Sequence, residues 1–373
     1  MAERYRKQFM VPEIGEAGQQ RIGAASVLVV GAGGLGCAVL PYLAGAGVGR
    51  ITIVDDDRVD RSNLQRQVLF GEASVGRPKA EVAVERLADL NPDIELVARV
   101  ARLQLDNVEA LLAGHDIIVD GSDNYPTKYL LADASVRYGK PLVYGSVTGM
   151  DALVSVFDAR RGPCLRCLFP EAPRGWVPNC AEAGVLGPLV GMAGAMQAAE
   201  TIKLLLDSER GVEPIIGRLW TMDARSGQSR LLQVGKRADC ALCSGPADAV
   251  DLGVHAGAQS LPEIDAGELD SHPDRLLLDV RESDEFSAGH LPGALNVPLS
   301  ALQAGSASLP EGAARCAIYC YSGQRCHDAA VLLRKQFDAD VVSLRGGYAA
   351  WSSASNAQST NTSAKRQVLE DSE

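Results

Sequence analysis

The chain has no apolar run long enough to cross a bilayer. Its longest uncharged Gly/Ala-rich stretch, Gly184 to Ala199, lies between Glu182 and Glu200 and falls short of the roughly 18 residues a spanning helix requires, so it reads as a buried helix and no membrane partner is expected. An apolar leader is lacking too: Met1 to Gln8 is charged and has no h-region, and the expected location is cytoplasmic. Basic charge is in deficit. With 36 Lys and Arg against 47 Asp and Glu, the net charge of −11 argues against nucleic acid, whose non-specific affinity comes from clustered cations neutralising phosphates. It does not exclude ATP, because an opposite charge about 4 Å away contributes roughly 4 kcal/mol at an effective dielectric of 20, while distant charge is screened beyond about 8 Å. The five histidines, His290 among them, form no cluster, and none is assigned to catalysis. An even cysteine count is also missing: nine cysteines, four of them in two CxxC pairs, suit metal binding and catalysis in a reducing compartment rather than a disulfide framework.

What is present has room for two or three cores: 373 residues, 46% apolar and 22% charged, which we read as two domains. Ser26-Val-Leu-Val-Val30 is a continuous β-branched run of the kind buried on both faces, and it enters the glycine loop Gly31-Ala-Gly33-Gly34-Leu-Gly36 directly. Ala38 to Gly47 reads as a helix and Arg50 to Asp55 as the next strand, a βαβ unit. Glu81 to Leu90 and Val108 to Ala113 read as helices, and Asp93 to Val100 and Asp116 to Asp120 as strands. The alternation continues through Leu142 to Tyr144 and Val154 to Phe157, as in a doubly wound, Rossmann-like α/β sheet. Residues 246–257 have the composition of a linker. A second, smaller α/β pattern follows over 258–352, with strands at Leu276 to Val280, Cys316 to Tyr319 and Val341 to Leu344 and a helix from Cys326 to Phe337. The Ser/Asn/Gln/Thr-rich and then charged segment 353–373 is expected to be a disordered tail.

In a βαβ unit the loop glycines allow a tight turn, close backbone approach to phosphate and close packing of helix on sheet. Asp55, 24 residues after Gly31, stands where a carboxylate accepts hydrogen bonds from a ribose. By itself this pattern favours NAD over ATP. The balance shifts with Asp55-Asp-Asp57-Arg-Val-Asp-Arg-Ser-Asn63-Leu-Gln65-Arg66-Gln, Gly76-Arg-Pro-Lys79 and Gly121-Ser-Asp123-Asn124, which occur in the order found in another family. Residues 1 to 245 resemble the adenylating enzymes that activate ubiquitin-like proteins, specifically the bacterial MoeB and ThiF branch. The resemblance implies that Gly31, Gly33, Gly34, Gly36, Asp55, Asp57 and Asn124 belong to the nucleotide site. It also implies that Asn63 and Arg66 meet the phosphates, that Lys79 meets charge developing on pyrophosphate, and that Asp123 ligates Mg²⁺. Where the family has Arg-Tyr-x-Arg-Gln, this chain has Arg4-Tyr-Arg6-Lys7-Gln8; either Arg6 substitutes for the second arginine or that contact is weaker, since Lys7 lacks the planar bidentate fork.

Cys164/Cys167 and Cys240/Cys243 have the spacing in which two thiolates of each pair face one ion, and two such pairs complete a closed tetrahedral zinc site that staples loops and does not catalyse. The alternative is two unrelated thiol pairs or an adventitious disulfide. Cys180, in Pro178-Asn-Cys180-Ala-Glu-Ala-Gly184, corresponds to a family cysteine on a loop crossing the active site, where it forms a thioester or an acyl disulfide; a buried structural cysteine is the alternative.

Leu277-Leu-Asp279-Val-Arg281-Glu282, Gly289-His-Leu-Pro-Gly and Cys320-Tyr-Ser-Gly-Gln-Arg325 resemble a rhodanese domain over about residues 258 to 352. A cysteine between a strand and a helix N-terminus meets backbone N–H donors and positive potential, which lowers a thiol pKa from about 8.5 and favours thiolate or persulfide; Arg325 adds charge. Six residues is this family's loop size for sulfur, which makes Cys320 the persulfide carrier, against a domain used only for docking. Cys326, where Ser or Thr is more usual, is either a spectator or a disulfide partner of Cys320 under oxidation, and Cys316 reads as core.

Together these resemblances imply an adenylyltransferase and sulfurtransferase. It would use ATP, Mg²⁺ and Zn²⁺ to adenylate the C-terminal Gly-Gly of a small ubiquitin-fold sulfur carrier and convert it to a thiocarboxylate. They further imply a homodimer supplied by a cysteine desulfurase or thiosulfate, in molybdenum cofactor biosynthesis or another sulfur pathway. The rivals are a sulfur-relay scaffold that has lost adenylation, and an NAD-dependent oxidoreductase fused to a redox domain; the second leaves Asn63, Arg66, Lys79 and the four cysteines unexplained.

Overall fold

Apolar runs too continuous to leave one face in water become the central strands of two separate sheets. The computed structural model describes residues 3–172, 184–206, 211–252, 261–271, 273–310, 314–321 and 323–352. Contacts divide the chain into two units, with the change between Gly257 and Ala258. Of the expected linker, the described part includes one 3-10 turn, Ala247–Ala249; the expected tail, 353–373, lies outside the described residues.

The first unit begins with helices α1 (Arg6–Phe9) and α2 (Gly15–Ala24), then β1 (Ser26–Val30), α3 (Gly34–Ala46), β2 (Arg50–Val54), α4 (Lys79–Leu90), β3 (Glu95–Arg99), α5 (Val108–Leu112) and β4 (Ile117–Asp120). It continues through α6 (Tyr125–Arg137), β5 (Leu142–Thr148), β6 (Asp151–Phe157), α7 (Leu165–Leu168), α8 (Gly187–Leu205), β7 (Arg218–Asp223) and β8 (Gln228–Gln233). The strands form one sheet in the order β3-β2-β1-β4-β5-β6-β7-β8. Its first five are parallel, with Val27 beside Ile51 on one flank and Ile117 on the other. Val27, Leu28 and Val29 are wholly buried, each worth about 1.5–3 kcal/mol of apolar transfer.

Chain order reverses between β1 and β4, so the loops leaving their carboxyl ends diverge and open the crevice in which such sheets bind ligands. The sheet is then extended by antiparallel strands. β5 turns back into β6 through Gly149 at φ +57, pairing Thr148 with Asp151; β7 joins β6 antiparallel after α7 and α8, and β8 closes a hairpin on β7. The strand pattern at Val154 to Phe157 is present, but as a hairpin arm rather than a crossover product. α3 starts at Gly34, ahead of the expected Ala38, because the last glycines of the loop already form its first turn. The expected buried helix is α8, whose Leu189, Val190, Ala193 and Ala198 pack in the main core. Among the described residues no helix is long and apolar enough to cross a membrane.

The second unit runs β9 (Glu263–Ile264), β10 (Leu276–Asp279), α9 (Ser283–Ser287), β11 (Leu295–Asn296), α10 (Leu299–Ala304), β12 (Arg315–Tyr319), α11 (Gln324–Phe337) and β13 (Asp340–Leu344). Its five strands are all parallel, in the order β11-β10-β12-β13-β9, around a core of Leu278, Ile318, Leu302, Leu333 and Val341.

Beneath the crevice of the first unit lies a buried ion pair. Asp120, at the end of β4, accepts from Lys128 Nζ of α6 at 2.9 Å, and Lys128 also donates to the Gly145 carbonyl at 2.7 Å. Burial works against the Lys128 cation, but Asp120 and the Tyr144 ring outweigh it and its pKa is raised. Removing one partner strands a charge in the core. Lys128→Met is expected to cost about 3–5 kcal/mol, read as a lower denaturant midpoint for the first unit, and Lys128→Met with Asp120→Asn is expected to cost less.

Candidate functional site

The glycine loop is shaped by contacts that no side chain would permit. Gly31 has φ +97, and a Cβ on it would lie 2.6 Å from the Gly121 carbonyl oxygen; one on Gly36 would lie 2.1 Å from the Gly31 oxygen. The β1 and β4 turns therefore pass backbone against backbone, bringing the start of α3 next to Gly121, Ser122 and Asp123. Gly34 faces Val190 of α8 and the stem of Arg66, and Gly33 faces Gln67. Asp55 holds this loop in place: its carboxylate accepts from Ala32 N–H at 2.7 Å and from Asp57 N–H at 2.8 Å. Burial pushes the Asp55 carboxyl up to about 6, against the pull of Lys79.

Lys79 opens α4 with its side chain only 5% exposed, and its Nζ donates to Asp57 Oδ2 at 2.8 Å. Burial lowers its pKa, but Asp57, Asp55 and Asp123 more than offset that, and the amine is held as a cation. Arg66 donates to the Ser62 carbonyl at 3.4 Å and Asn63 Nδ2 to Ser62 Oγ at 3.2 Å. Asp123 is exposed at the mouth, and Asn124 caps α6 by accepting from Thr127 N–H at 3.0 Å. The carboxylates of Asp55, Asp57 and Asp123 are thus gathered around Lys79, with Arg66 against Gly34 of the same loop.

Sequence reasoning assigned no role to Gln67, Asp120, Lys128 or Gln197. Gln67 is buried with its Nε2 beside Gly33, and its Oε1 has no hydrogen-bond partner. Asp120 accepts from Ser122 N–H and Oγ–H at 3.0 and 2.5 Å and so shapes the turn that carries Asp123, while Gln197 donates to the Asp120 carbonyl at 2.8 Å. A carboxylate ending the apolar run Ile117-Ile-Val-Asp120 was the available signal.

The two CxxC pairs come together. Cys164, Cys167, Cys240 and Cys243 are all buried and their sulfurs lie within 4.8 Å of one another, with Cys164–Cys167, Cys164–Cys240 and Cys167–Cys243 at 3.8, 3.6 and 3.5 Å. Four thiolates about 2.3 Å from a tetrahedral zinc would stand about 3.8 Å apart, so this donor set fits that ion. Arg237 N–H points at Cys167 Sγ from 3.5 Å. Arg166, between the first two cysteines, donates to both oxygens of Asp133 on α6 at 2.6 and 2.8 Å and stacks on Tyr129. Such a site has no open position and braces the fold. Cys180 lies outside the described residues.

In the second unit β12 delivers Cys320, fully buried, to the N-terminus of α11. Gly323, at φ +95, turns its N–H onto Cys320 Sγ at 3.1 Å. Arg325 forms a two-pronged pair with Glu285 of α9 at 2.5 and 2.8 Å, which pulls the Glu285 carboxyl below its ordinary range. Gly347 packs on the Cys320 and Tyr321 carbonyls, and Tyr348 N–H donates to the Cys320 carbonyl at 2.9 Å. Arg281, quoted in the sequence motif without a role, is bound to both oxygens of Asp279 and lies over the Tyr348 ring. His290 stacks on Phe286.

These features define an α/β nucleotide-binding protein whose second unit presents a cysteine to helix-end amides. The ThiF family model matches residues 5–243 and the rhodanese-like domain model residues 264–354, and the chain belongs to the ThiF family with a rhodanese-like domain following. It is 47% identical over 247 residues to the sulfur carrier protein adenylyltransferase of Thermus thermophilus, covering 65% of this chain and 90% of that protein. It is 39% identical over 365 residues to the probable adenylyltransferase/sulfurtransferase MoeZ of Mycobacterium tuberculosis, covering 93% and 92%. With the adenylyltransferase and sulfurtransferase MOCS3 of Culex quinquefasciatus it shares 41% identity over 320 residues, 79% of this chain and 72% of that one. Escherichia coli MccB, crystallised with MccA-N7isoASN, superposes with a TM-score of 0.58 at 22% identity over 66% of this chain and 75% of that one, a likeness of fold. The expected family, fold class and two-activity enzyme are borne out.

The purified protein is expected to carry one zinc per chain by elemental mass spectrometry. Cys240→Ser, removing one of the four clustered sulfurs, is expected to lower both zinc content and the unfolding temperature of the first unit.

Proposed function

We propose that this chain uses ATP to adenylate the C-terminal glycine of a small ubiquitin-fold sulfur carrier ending in Gly-Gly, and converts it to a thiocarboxylate with sulfur carried on Cys320. The observation that carries the reading is Lys79: a buried cation held by an exposed carboxylate, Asp57, at the mouth of the glycine loop, where an incoming polyphosphate can take that carboxylate's place. The same chain contains Cys320, its sulfur already facing a backbone donor.

In this mechanism residues 1–245 perform activation and 258–352 sulfur transfer. The amides of the Gly31, Gly33, Gly34 and Gly36 turn approach the phosphates, and Asp55 accepts from the ribose hydroxyls. Asn63 and Arg66 orient the phosphates for attack by the carrier carboxylate on the α-phosphorus, and Lys79 stabilises charge gathering on the departing pyrophosphate. Asp123 would hold Mg²⁺, which supplies further positive charge on the phosphate oxygens. The free carboxylate is a poor electrophile and the acyl adenylate a good one. The Cys320 persulfide, charged by a cysteine desulfurase or thiosulfate, is the nucleophile, and the Gly323 amide and the start of α11 favour its anion. Cys180 would act on the activated carrier through a thioester. Arg325 adds positive potential, steadied by Glu285. The working form we propose is a cytoplasmic homodimer, and tethering the two activities raises their effective concentration.

ATP–pyrophosphate exchange with a panel of ubiquitin-fold carriers tests the reading. Exchange is expected to depend on one carrier and to fall about a hundredfold or more in Asp123→Ala. Cys320→Ala is expected to keep exchange but lose the carrier mass gain that marks one oxygen replaced by sulfur. Absence of exchange with every carrier would favour the relay scaffold.

A pH dependence follows from Asp55. An ionised carboxylate accepts from ribose hydroxyls and a protonated one accepts poorly, so ATP affinity is expected to be full above the raised value of about 6 and to fall as pH drops through it. Calorimetric titration across about pH 5 to 8 is expected to show this inflection in wild type and not in Asp55→Asn.

A further inference from the structure

Once a persulfide has attacked an acyl adenylate, the carrier is joined to Cys320 through an acyl disulfide, and a second thiol must free it. We propose that Cys326 is that thiol: it resolves the acyl disulfide on Cys320 and forms a Cys320–Cys326 disulfide, a role that rests on the adenylation and persulfide reading above.

The two cysteines bracket the loop, Cys320 following β12 and Cys326 in the first turn of α11. Both are fully buried in one apolar cluster, with the Cys320 side chain beside the Cys326 thiol. Side chains that meet sulfur to sulfur can be joined with little backbone movement, whereas cysteines that point apart cannot. The environment also times the step. Burial first, then the neighbouring Cys320 side chain and its charge, push the Cys326 thiol well above its ordinary range, which keeps it protonated at rest. In the acyl disulfide the Cys320 sulfur carries no charge, and that part of the penalty on the Cys326 thiolate disappears.

The step balances. Cys326 Sγ attacks Cys320 Sγ; the bond between Cys320 Sγ and the acyl sulfur breaks with its electron pair on the acyl sulfur; the thiocarboxylate leaves with the proton Cys326 has given up. Two thiols are oxidised to a disulfide and the transferred sulfur is reduced. A thiocarboxylate is a much weaker base than hydrosulfide, and exchange is faster for the less basic leaving thiol, so the acyl disulfide is resolved in preference to the bare persulfide. A dithiol reductant then restores both cysteines for another turnover.

The test is a single turnover of the full-length protein without reductant, with ATP, Mg²⁺, thiosulfate and a Gly-Gly-ended ubiquitin-fold carrier selected by exchange. Intact mass and non-reducing peptide mapping are the readouts. Wild type is expected to release thiocarboxylate and to gain the Cys320–Cys326 disulfide in equal amount, a result that needs no variant to fold. Cys326→Ser is expected to hold the carrier on Cys320 as a reductant-cleavable adduct, with release slowed about tenfold or more. A Cys180–Cys320 disulfide, release with Cys326 still open to alkylation, or wild-type release from Cys326→Ser would overturn the proposal while leaving adenylation standing. Absence of carrier-dependent exchange in wild type would instead remove the adenylation reading and this role with it.

Discussion

The passage of two backbone turns past each other at the reversal point of the sheet is the constraint on which the first unit depends. Gly31 and Gly121 meet carbonyl to Cα with no space for a side chain on either, and Gly36 returns the chain against Gly31. That closeness sets the start of α3 beside the Asp123 turn. The floor beneath is fixed by Asp120, which serves Ser122, Lys128 and, through its backbone, Gln197. Loop shape, helix entry and placement of Asp123 are therefore one packing problem with few solutions.

Two lysine–aspartate pairs a short distance apart in function have opposite characters. Lys128 and Asp120 are 5% and 0% exposed, and exchanging either partner would strand a charge away from water. Lys79 is equally buried at 5%, but its partner Asp57 is 65% exposed and can return to solvent when a better anion arrives. The first pair sets a shape; in the proposed mechanism the second holds a cation ready for the phosphates. An acidic chain can in this way present a local positive charge to polyphosphate.

Much of this was legible because it rests on local chemistry. The runs Ser26 to Val30 and Ile117 to Asp120 could only be buried strands, the glycine string announced a tight turn, and the CxxC spacing announced two thiol pairs that the fold gathers into one cluster. What escaped depended on partners distant in sequence. β7 and β8 carry Trp, Thr, Gln, Ser and Arg, and every β8 residue is exposed, so no apolar run marked them. α6 is buried on several sides and contains Lys128 and Asp133, whose charges hide its apolar character until Asp120 and Arg166 are seen to neutralise them. Gln67 and Arg281 stood in quoted strings, but their importance lies in burial and stacking, which a string does not display.

The tetrathiolate knuckle has a consequence for how the chain is made. Cys164 and Cys240 are separated by 76 positions, an interval that contains α8 and the last strands of the sheet. A ribosome adding about 5–20 residues per second would expose the first cysteine pair roughly 4–15 s before the second. During that interval Arg166 can already dock on Asp133, but the cluster cannot close. With zinc in the cluster, metal capture would be the final latch of the first unit, completed just as the second begins to emerge, and a shortage of the ion would be felt as a defect of assembly before a loss of chemistry.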